Sequence, residues 1–94
     1  MSYELLFKIL VTDKITIEVQ KKLMDDGFEW ITGNNKPIKY QKFSDKIKDD
    51  TEYYICVTVD KKIFWRYKDD KAHDIKNWDS CVVLKNYFQR KIVL

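Results

Sequence analysis

The densest run of side chains with binding chemistry lies between residues 33 and 48. Five lysines stand there against a single acid, with two aromatic residues among them: Lys36, Lys39, Lys42, Lys46, Lys48, Asp45, Tyr40 and Phe43. Ammonium groups can hold phosphates while aromatic rings stack on nucleobases. The pattern predicts a site for an anionic ligand, either a nucleotide signal or single-stranded nucleic acid.

Two residues outside this run complete the predicted site. Trp30 lies at the base of the loop, and Arg66 supplies a guanidinium. The predicted ligand-binding residues are Trp30, Lys36, Lys39, Tyr40, Lys42 and Arg66. The alternative is a solvated lysine loop whose aromatic residues pack in the core, because lysine is the ordinary surface residue and phosphate sites more often use the bidentate fork of arginine.

Catalytic chemistry has little to build on. His73, the single histidine, is followed by Asp74 in a polar stretch, and no partners stand at useful spacing. No nucleophile motif or phosphate-cradling glycine loop is present. Three adjacent acid pairs lie in hydrophilic surroundings and are interpreted as solvated charges: Asp25/Asp26, Asp49/Asp50 and Asp69/Asp70. We predict a protein that is not an enzyme, with no catalytic residues, no metal site and no cofactor.

Composition sets wider bounds. A chain of 94 residues has room for one domain, residues 1–94, with one modest core. The net charge of +3 neither demands nor forbids a nucleic acid. No apolar run approaches the ~20 residues of a membrane span, and the first residues lack the features of a signal peptide. Cys56 and Cys81 lack C-x-x-C spacing, so we expect buried free thiols in a cytoplasmic protein without membrane contact.

The first two elements follow from periodicity. Alternate residues are apolar at the start of the chain, which predicts a strand with one fully apolar face: Tyr3, Leu5, Phe7, Ile9 and Val11. Thr12 and Asp13 then offer an N-cap. Ile15, Val19 and Leu23 recur at helical spacing, which predicts one amphipathic helix of about three turns.

Gly27 and Phe28 follow this helix, and both are predicted to serve packing. Gly27 stands where a C′ residue adopts the left-handed conformation, and Phe28 can fold back onto the last turn as the apolar partner of a C-terminal cap. A short strand comes next, with Phe28 and Trp30 on one face, and then a loop rich in glycine and amides. Beyond it we predict an irregular strand around Ile38 and Tyr40, followed by a loop.

Residues 53–59 and 63–68 are rich in β-forming residues and predict a hairpin. A three-residue loop at residues 60–62 places six apolar residues on one face in three cross-strand pairs: Val59 with Ile63, Val57 with Trp65, and Ile55 with Tyr67. A two-residue loop would pair Val57 with Phe64 instead. We prefer the first register because it also groups polar residues on the opposite face.

The last part of the chain is less regular. Residues 69–79 form a polar connection interrupted by Ile75 and Trp78, residues 81–84 predict a last strand, and residues 85–91 predict a helical turn.

These elements predict an α+β fold, with a mainly antiparallel sheet of about four or five strands and one principal helix packed on one face. One helix cannot cover both faces of a sheet. The uncovered face would carry Leu6, Leu10, Tyr54, Cys56 and Phe64, and so large an apolar patch predicts a homo-oligomer or a protein partner. The predicted interface residues are Leu6, Leu10, Tyr54 and Phe64.

Two stretches resemble a loose class of small bacteriophage accessory proteins. These are "VQKKLMDDGFEW", residues 19–30, and "YYICVTVDKKIFW", residues 53–65. In that class a helix ending in K-L is followed by G-aromatic-x-W and later by a hairpin. The resemblance implies a phage accessory protein that counters host defence, and it carries over Gly27, Phe28 and Trp30 as fold positions only.

The function expected from all of this is a non-catalytic binding protein of phage origin that acts in the host cytoplasm. It would counter a host defence system by binding a host protein or by sequestering an anionic nucleotide signal. The alternative is a small single-stranded nucleic-acid-binding protein. A mild net charge of +3 with 15 scattered acids, and the absence of groove-reading motifs, argue against that alternative.

Overall fold

The computed structural model describes residues 3–42 and 44–85. Its elements in chain order are β1 Leu5–Val11, α1 Thr16–Asp25, β2 Glu29–Trp30, a 3-10 turn at Tyr40–Lys42, β3 Tyr53–Thr58, β4 Lys62–Tyr67 and β5 Val82–Leu84. The strands form one sheet in the order β2-β4-β3-β1-β5. The predicted α+β class is confirmed. The sheet is mixed, because β1 with β5 and β2 with β4 are parallel pairs.

The sequence predicted the C-terminal end of α1 correctly but not its N-terminal end. The predicted N-cap is wrong, since the helix begins at Thr16 and no side chain caps it. The Asp13 carboxylate instead accepts hydrogen bonds from the backbone N–H groups of Tyr40 at 3.0 Å and Gln41 at 2.9 Å. Asp13 is buried, so these two amides provide the partners that a buried carboxylate needs. The backbone at Tyr40 forms a 3-10 turn, so the irregular strand predicted there is wrong.

At the C-terminal end of α1 the prediction is confirmed. Gly27 has a φ of +97° in the left-handed region, and its N–H donates to the Met24 carbonyl at 3.1 Å. The Phe28 N–H donates to the Leu23 carbonyl at 3.0 Å. These two bonds define a Schellman cap. Phe28 packs against the main core, as expected of the apolar partner of such a cap.

The β3–β4 hairpin has the predicted loop length at a different position. Val57 pairs with Ile63, so the three-residue loop is 59–61 and the predicted register is wrong by two residues. The Lys61 N–H donates to the Thr58 carbonyl at 3.2 Å, which closes a turn, and Lys61 itself is left-handed with a φ of +65°. Three-residue hairpin loops commonly combine a turn with a left-handed residue in this way. Because the shift is even, the strand residues keep their predicted faces.

A β-bulge interrupts β1. Leu5 pairs with Thr58 while Phe7 pairs with Val57, so Leu5 and Leu6 together oppose one partner residue. The extra residue reverses which face of the sheet the odd-numbered residues occupy. Ile9 packs in the main core, whereas Leu5 packs in a second cluster on the other side of the sheet. The prediction that Tyr3 and Leu5 share a face with Ile9 is therefore wrong.

The sheet has two unequal faces. We call the side that carries Ile9, Ile55 and Ile63 the helix face; it packs on α1 and holds the main core. The opposite side, which carries Lys8 and Phe64, is the distal face. Its buried cluster consists of Leu5, Cys56, Phe64, Ala72 and Ile75. Ala72 and Ile75 belong to residues 70–81, which cross this face, so the expectation of an uncovered face is wrong over its Phe64 half.

Hydrogen bonds to the start of β1 hold the 70–81 segment in place. The Tyr3 N–H donates to the Asp74 carbonyl and the Lys76 N–H donates to the Tyr3 carbonyl, both at 2.8 Å. The Asn77 side chain then accepts from the Leu5 N–H and donates to the Leu5 carbonyl, both at 2.9 Å. Asn77 thus substitutes for a neighbouring strand where β5 does not reach. The predicted last strand is confirmed as β5, and the predicted turn at 85–91 lies, apart from Lys85, outside the described residues.

Candidate functional site

Two of the six predicted ligand-binding residues meet in one cavity, which we call the edge cavity. It has a volume of about 370 Å³ and is lined by Trp30, Ile31, Thr32, Ile38, Phe64, Trp65 and Arg66. It lies at the outer edge of β4, where β4 runs on to Tyr67 but β2 pairs only with Lys62 and Ile63. The gap in strand pairing at this edge creates the space.

Tyr40 takes no part in that site. Its side chain is fully buried, with its ring stacked on Trp65 at a centroid distance of 4.9 Å and edge-on to Tyr53 at 5.1 Å. Burial raises its pKa above the ordinary tyrosine value, and the nearby Thr16 side chain offsets only part of that rise. The prediction that Tyr40 binds a ligand is wrong, because no nucleobase can reach its ring. The alternative, that this aromatic residue packs in the core, is what the structure shows.

The three predicted lysines surround no common point that the structure identifies. Lys36, Lys39 and Lys42 are all exposed, and none lines the edge cavity. Lys36 touches the site through its backbone alone, since its carbonyl accepts a hydrogen bond from the Trp30 Nε1 at 3.2 Å. Phe43, which follows Lys42 in the sequence, lies outside the described residues.

Arg66 is present at the edge cavity, but its charge is already matched. Its Nη2 donates to the Asp74 carboxylate at 2.8 Å, and its Nε lies 3.8 Å from the Asp70 carboxylate. Its guanidinium also stacks over the Phe64 ring at 4.6 Å and donates to the Trp65 carbonyl at 3.2 Å. One guanidinium facing two carboxylates offers little attraction to a phosphate.

A second cavity brings together two of the four predicted interface residues. We call it the basic cavity; it measures about 490 Å³ and is lined by Leu10, Val11, Thr12, Ile15, Glu52, Tyr54, Lys68, Val83 and Lys85. It occupies the part of the distal face that residues 70–81 leave open. The other two interface predictions fall elsewhere, since Phe64 is 5% exposed beneath that segment and Leu6 is 47% exposed at the bulge.

The basic cavity takes its name from the charges around it. Lys68 donates to the Glu52 carboxylate at 3.0 Å, a hydrogen bond that raises the pKa of Lys68. Lys85 forms no ion pair with any described residue. The Lys8 ammonium lies 4.7 Å from the centre of the Tyr54 ring. Two lysines, Lys68 and Lys85, and one acid, Glu52, therefore line this cavity beside its apolar residues.

Lys8 contacts Tyr54, which lines the basic cavity, and the sequence did not predict this contact. It is only 5% exposed, its Nζ donates to the Trp78 carbonyl at 2.7 Å, and it lies 3.9 Å from the centre of the Trp78 ring. An ammonium between two aromatic rings gains a cation–π attraction that offsets part of its lost hydration. The available signal was the position of Lys8 between Leu6 and Leu10, on a strand face that is otherwise apolar.

Both cysteines are free thiols; Cys56 is buried as predicted, whereas the prediction that Cys81 is buried is wrong. Burial raises the pKa of Cys56 to about 12, although the charges of Arg66 and Lys8 act in the opposite direction. Burial also raises the pKa of Cys81, which is half-buried. Cys56 lies on β3 and Cys81 directly before β5, with β1 between those strands, so their backbones are two strand spacings or about 9–10 Å apart. A disulfide needs less than about 7 Å.

His73 is exposed, and the carboxylate of the adjacent Asp74 is engaged by Arg66. Across residues 3–42 and 44–85, no three His, Cys, Asp or Glu side chains converge where they could hold a metal ion. Nor does this part of the chain contain a helix with the length and hydropathy of a bilayer span.

The fold and these cavities define a small α+β protein with a five-stranded mixed sheet, one face of which is only partly covered. Comparison with known proteins adds no further identification. No protein-family model, curated protein or solved structure matches the chain.

Proposed function

We propose that the protein is a non-catalytic binding protein that holds a host protein on the open part of its distal face. The observation that carries this proposal is the basic cavity, where Leu10, Tyr54 and Val83 leave an apolar floor uncovered beside the 70–81 segment. Val83 is 41% exposed. Apolar residues clustered at a cavity and bordered by charges are characteristic of protein–protein contact sites.

The partner that suits this surface presents an apolar side chain with a carboxylate beside it. The apolar side chain enters between Leu10 and Val83, where its burial contributes most of the binding free energy. The carboxylate pairs with Lys85, which forms no ion pair with the described residues, and this pairing favours correct orientation and fast association.

The resemblance described above supplies the biological setting of the proposal. A phage accessory protein with this surface would act in the cytoplasm of the infected host, where it binds a component of a defence system and blocks it. Sequestration of a nucleotide signal has less support, because Tyr40 is buried and Arg66 is already paired with Asp74. The same two observations weaken the single-stranded nucleic-acid alternative.

Val83→Glu tests the proposal, with Ile31→Glu as its matched control. Both residues are exposed β-branched positions, but Ile31 lies at the edge cavity. A host protein cross-linked to the natural chain in bacterial cells is identified by mass spectrometry, and its Kd is then measured with purified proteins. We expect Val83→Glu to weaken binding at least about tenfold, which corresponds to ~1.4 kcal/mol, and Ile31→Glu to leave it unchanged.

Equal binding by the natural protein and Val83→Glu would place the contact elsewhere on the molecule. The defence role has its own measurement, the plating efficiency of a restricted phage on cells that express each variant. We expect the natural protein and Ile31→Glu to raise plating and Val83→Glu to fail. Restoration of plating by all three would contradict the proposal.

A further inference from the structure

We infer that the edge cavity is a binding site for an uncharged, flat, ring-bearing small molecule, independent of the partner surface on the distal face. The inference rests on the shape, the lining and the charge balance of this cavity.

The cavity is formed by the backbone. β2 ends at Trp30, and the last hydrogen bond between the two chain segments is donated by the Ile31 N–H to the Ile63 carbonyl at 2.9 Å. The chain then turns away from β4, since the Gly33 N–H donates to the Trp30 carbonyl at 2.8 Å. A space beside β4 results, at the position where this turn leads the chain away.

Its walls are held from behind. Trp30 is 5% exposed, and its Nε1 is fixed by the Lys36 carbonyl. The Trp65 ring is stacked on the buried Tyr40 ring. Both indoles therefore lie in fixed positions before any ligand arrives, which reduces the entropy cost of binding.

The lining favours a ring. Two indole side chains, Trp30 and Trp65, line the cavity together with Ile31 and Ile38. Phe64 also borders the cavity, but its ring lies on the distal face beneath the 70–81 segment. Aromatic pairs contribute binding free energy beyond that of the area that they bury. A volume of about 370 Å³ lies at the lower end of the range for small-molecule sites.

The charge balance excludes an anion. Arg66 is the cationic group of the lining, and it is paired with Asp74 and lies near Asp70. A phosphate at this site would meet two carboxylates for one guanidinium. Thr32 remains as a polar contact, because its hydroxyl makes no hydrogen bond to the described residues. The site thus suits a neutral ring that forms one hydrogen bond.

Titration with adenosine, indole and AMP, followed by amide chemical shifts, tests the inference. We expect adenosine and indole to bind saturably and to shift the Ile31 and Trp65 amides. AMP should bind about tenfold more weakly than adenosine, because its phosphate would meet two carboxylates and one guanidinium, a net repulsion. Asp74→Asn removes one of these carboxylates, so AMP should approach the affinity of adenosine.

Two variants block the site, and one leaves it open. Thr32→Trp places an indole in the cavity from an exposed position, and Ile31→Glu adds a charge at its rim; both should abolish adenosine binding. Val83→Glu, at the basic cavity, should bind adenosine as the natural protein does. No saturable binding of either neutral probe at millimolar concentration, tighter binding of AMP than of adenosine to the natural protein, or full binding by both blocking variants would overturn the inference.

Discussion

At the scale of single residues, Lys8 shows how a charge can be accommodated within a sheet. Its ammonium is held by the Trp78 carbonyl and by the rings of Trp78 and Tyr54. Those contacts tie β1 and β3 to the 70–81 segment. The stability of the distal face therefore depends on a residue that composition alone would assign to solvent.

We predict that Lys8→Met destabilises the protein by about 1–3 kcal/mol, because the partly buried Trp78 carbonyl loses its donor and the rings lose their cation. Methionine keeps the chain length, so no large cavity arises. Urea denaturation measures the change, and Lys71→Met, at an exposed position, is the control. Equal midpoints for the two variants would show that the Lys8 contacts add nothing.

Cys56 predicts an alkaline loss of stability. Burial raises the pKa of its thiol from the ordinary 9.0 to about 12 in the folded protein. Between pH 9 and pH 12 the thiol is ionised in the unfolded chain but protonated in the folded protein. The contribution of Cys56 to the free energy of unfolding is therefore complete below pH 9 and declines as the pH rises towards 12. The buried Tyr40, whose pKa is also raised, adds to the decline above pH 10.

Urea denaturation at pH 8, 9 and 10.5 measures this loss. Cys56 alone is expected to contribute a decline of about 1.4 kcal/mol per pH unit once the unfolded thiol is ionised. Cys56→Ala should have a shallower decline than the natural protein, and Cys81→Ala serves as the comparison at a half-buried thiol. Parallel pH profiles for the natural protein and Cys56→Ala would contradict the assignment.

At the scale of elements, the 70–81 segment is the feature that most changes the predicted surface. It covers Phe64 and Cys56, and it is attached to β1 through Tyr3 and Asn77. The Asn77 amide satisfies both backbone groups of Leu5, which otherwise lack a neighbouring strand on that side. This one side chain joins the segment to the sheet.

We predict that Asn77→Ala raises the hydrogen-exchange rate of the Lys76 and Tyr3 amides and costs about 1–3 kcal/mol, because two partly buried backbone groups lose their partners. Ser80→Ala, which removes only a weak exposed contact, should match the natural protein in both measurements. Unchanged exchange in Asn77→Ala would mean that apolar packing of Ala72 and Ile75 holds the segment without it.

Periodicity predicted β1 and α1, and the β-forming residues of β3 and β4 predicted the hairpin, because each of these elements carries enough apolar positions to define a face. β5 was predicted only from a short apolar run. The hairpin loop was misplaced because Lys61 adopts a left-handed conformation that glycine usually takes, so sequence gave no sign of it. The bulge at Leu5 and Leu6 could not be predicted either. Both residues are apolar, so the sequence does not show that the alternation reverses between them. The burial of Lys8 and Tyr40 depends on contacts with residues 13 or more positions away, which no local pattern contains.

At the scale of the whole molecule, the α+β class was predictable and the strand order was not. Pairing of β1 with β5 and of β2 with β4 joins segments whose sequences show only that each is a strand. Of the candidate site, Trp30 with Arg66 and Leu10 with Tyr54 do meet, each pair in one cavity. The residues of the predicted lysine site do not come together around one ligand. The 3-10 turn directs Tyr40 into the core, whereas Lys39 and Lys42 on either side of it are exposed.

Self-association through the open part of the distal face stays a prediction. We expect the weight-average mass in sedimentation equilibrium to rise with protein concentration, because Leu10 and Val83 remain partly exposed in the single chain. Leu10→Lys should hold the mass at the 11.4 kDa of one chain, and Leu6→Lys, outside the basic cavity, should not. A mass of one chain at every concentration for the natural protein would show that this surface does not bind its own copy.

The strand order also fixes when the protein can finish folding. β1 stands between β3 and β5, so a ribosome that has released residues 5–67 has delivered four strands and the helix but not the outer neighbour of the first strand. Until residue 84 emerges, one side of β1 is an unpaired edge, open to pairing with other nascent chains. Slow translation after residue 67 should therefore increase aggregation, because the strand that covers this edge of β1 is made after the other four strands of the sheet.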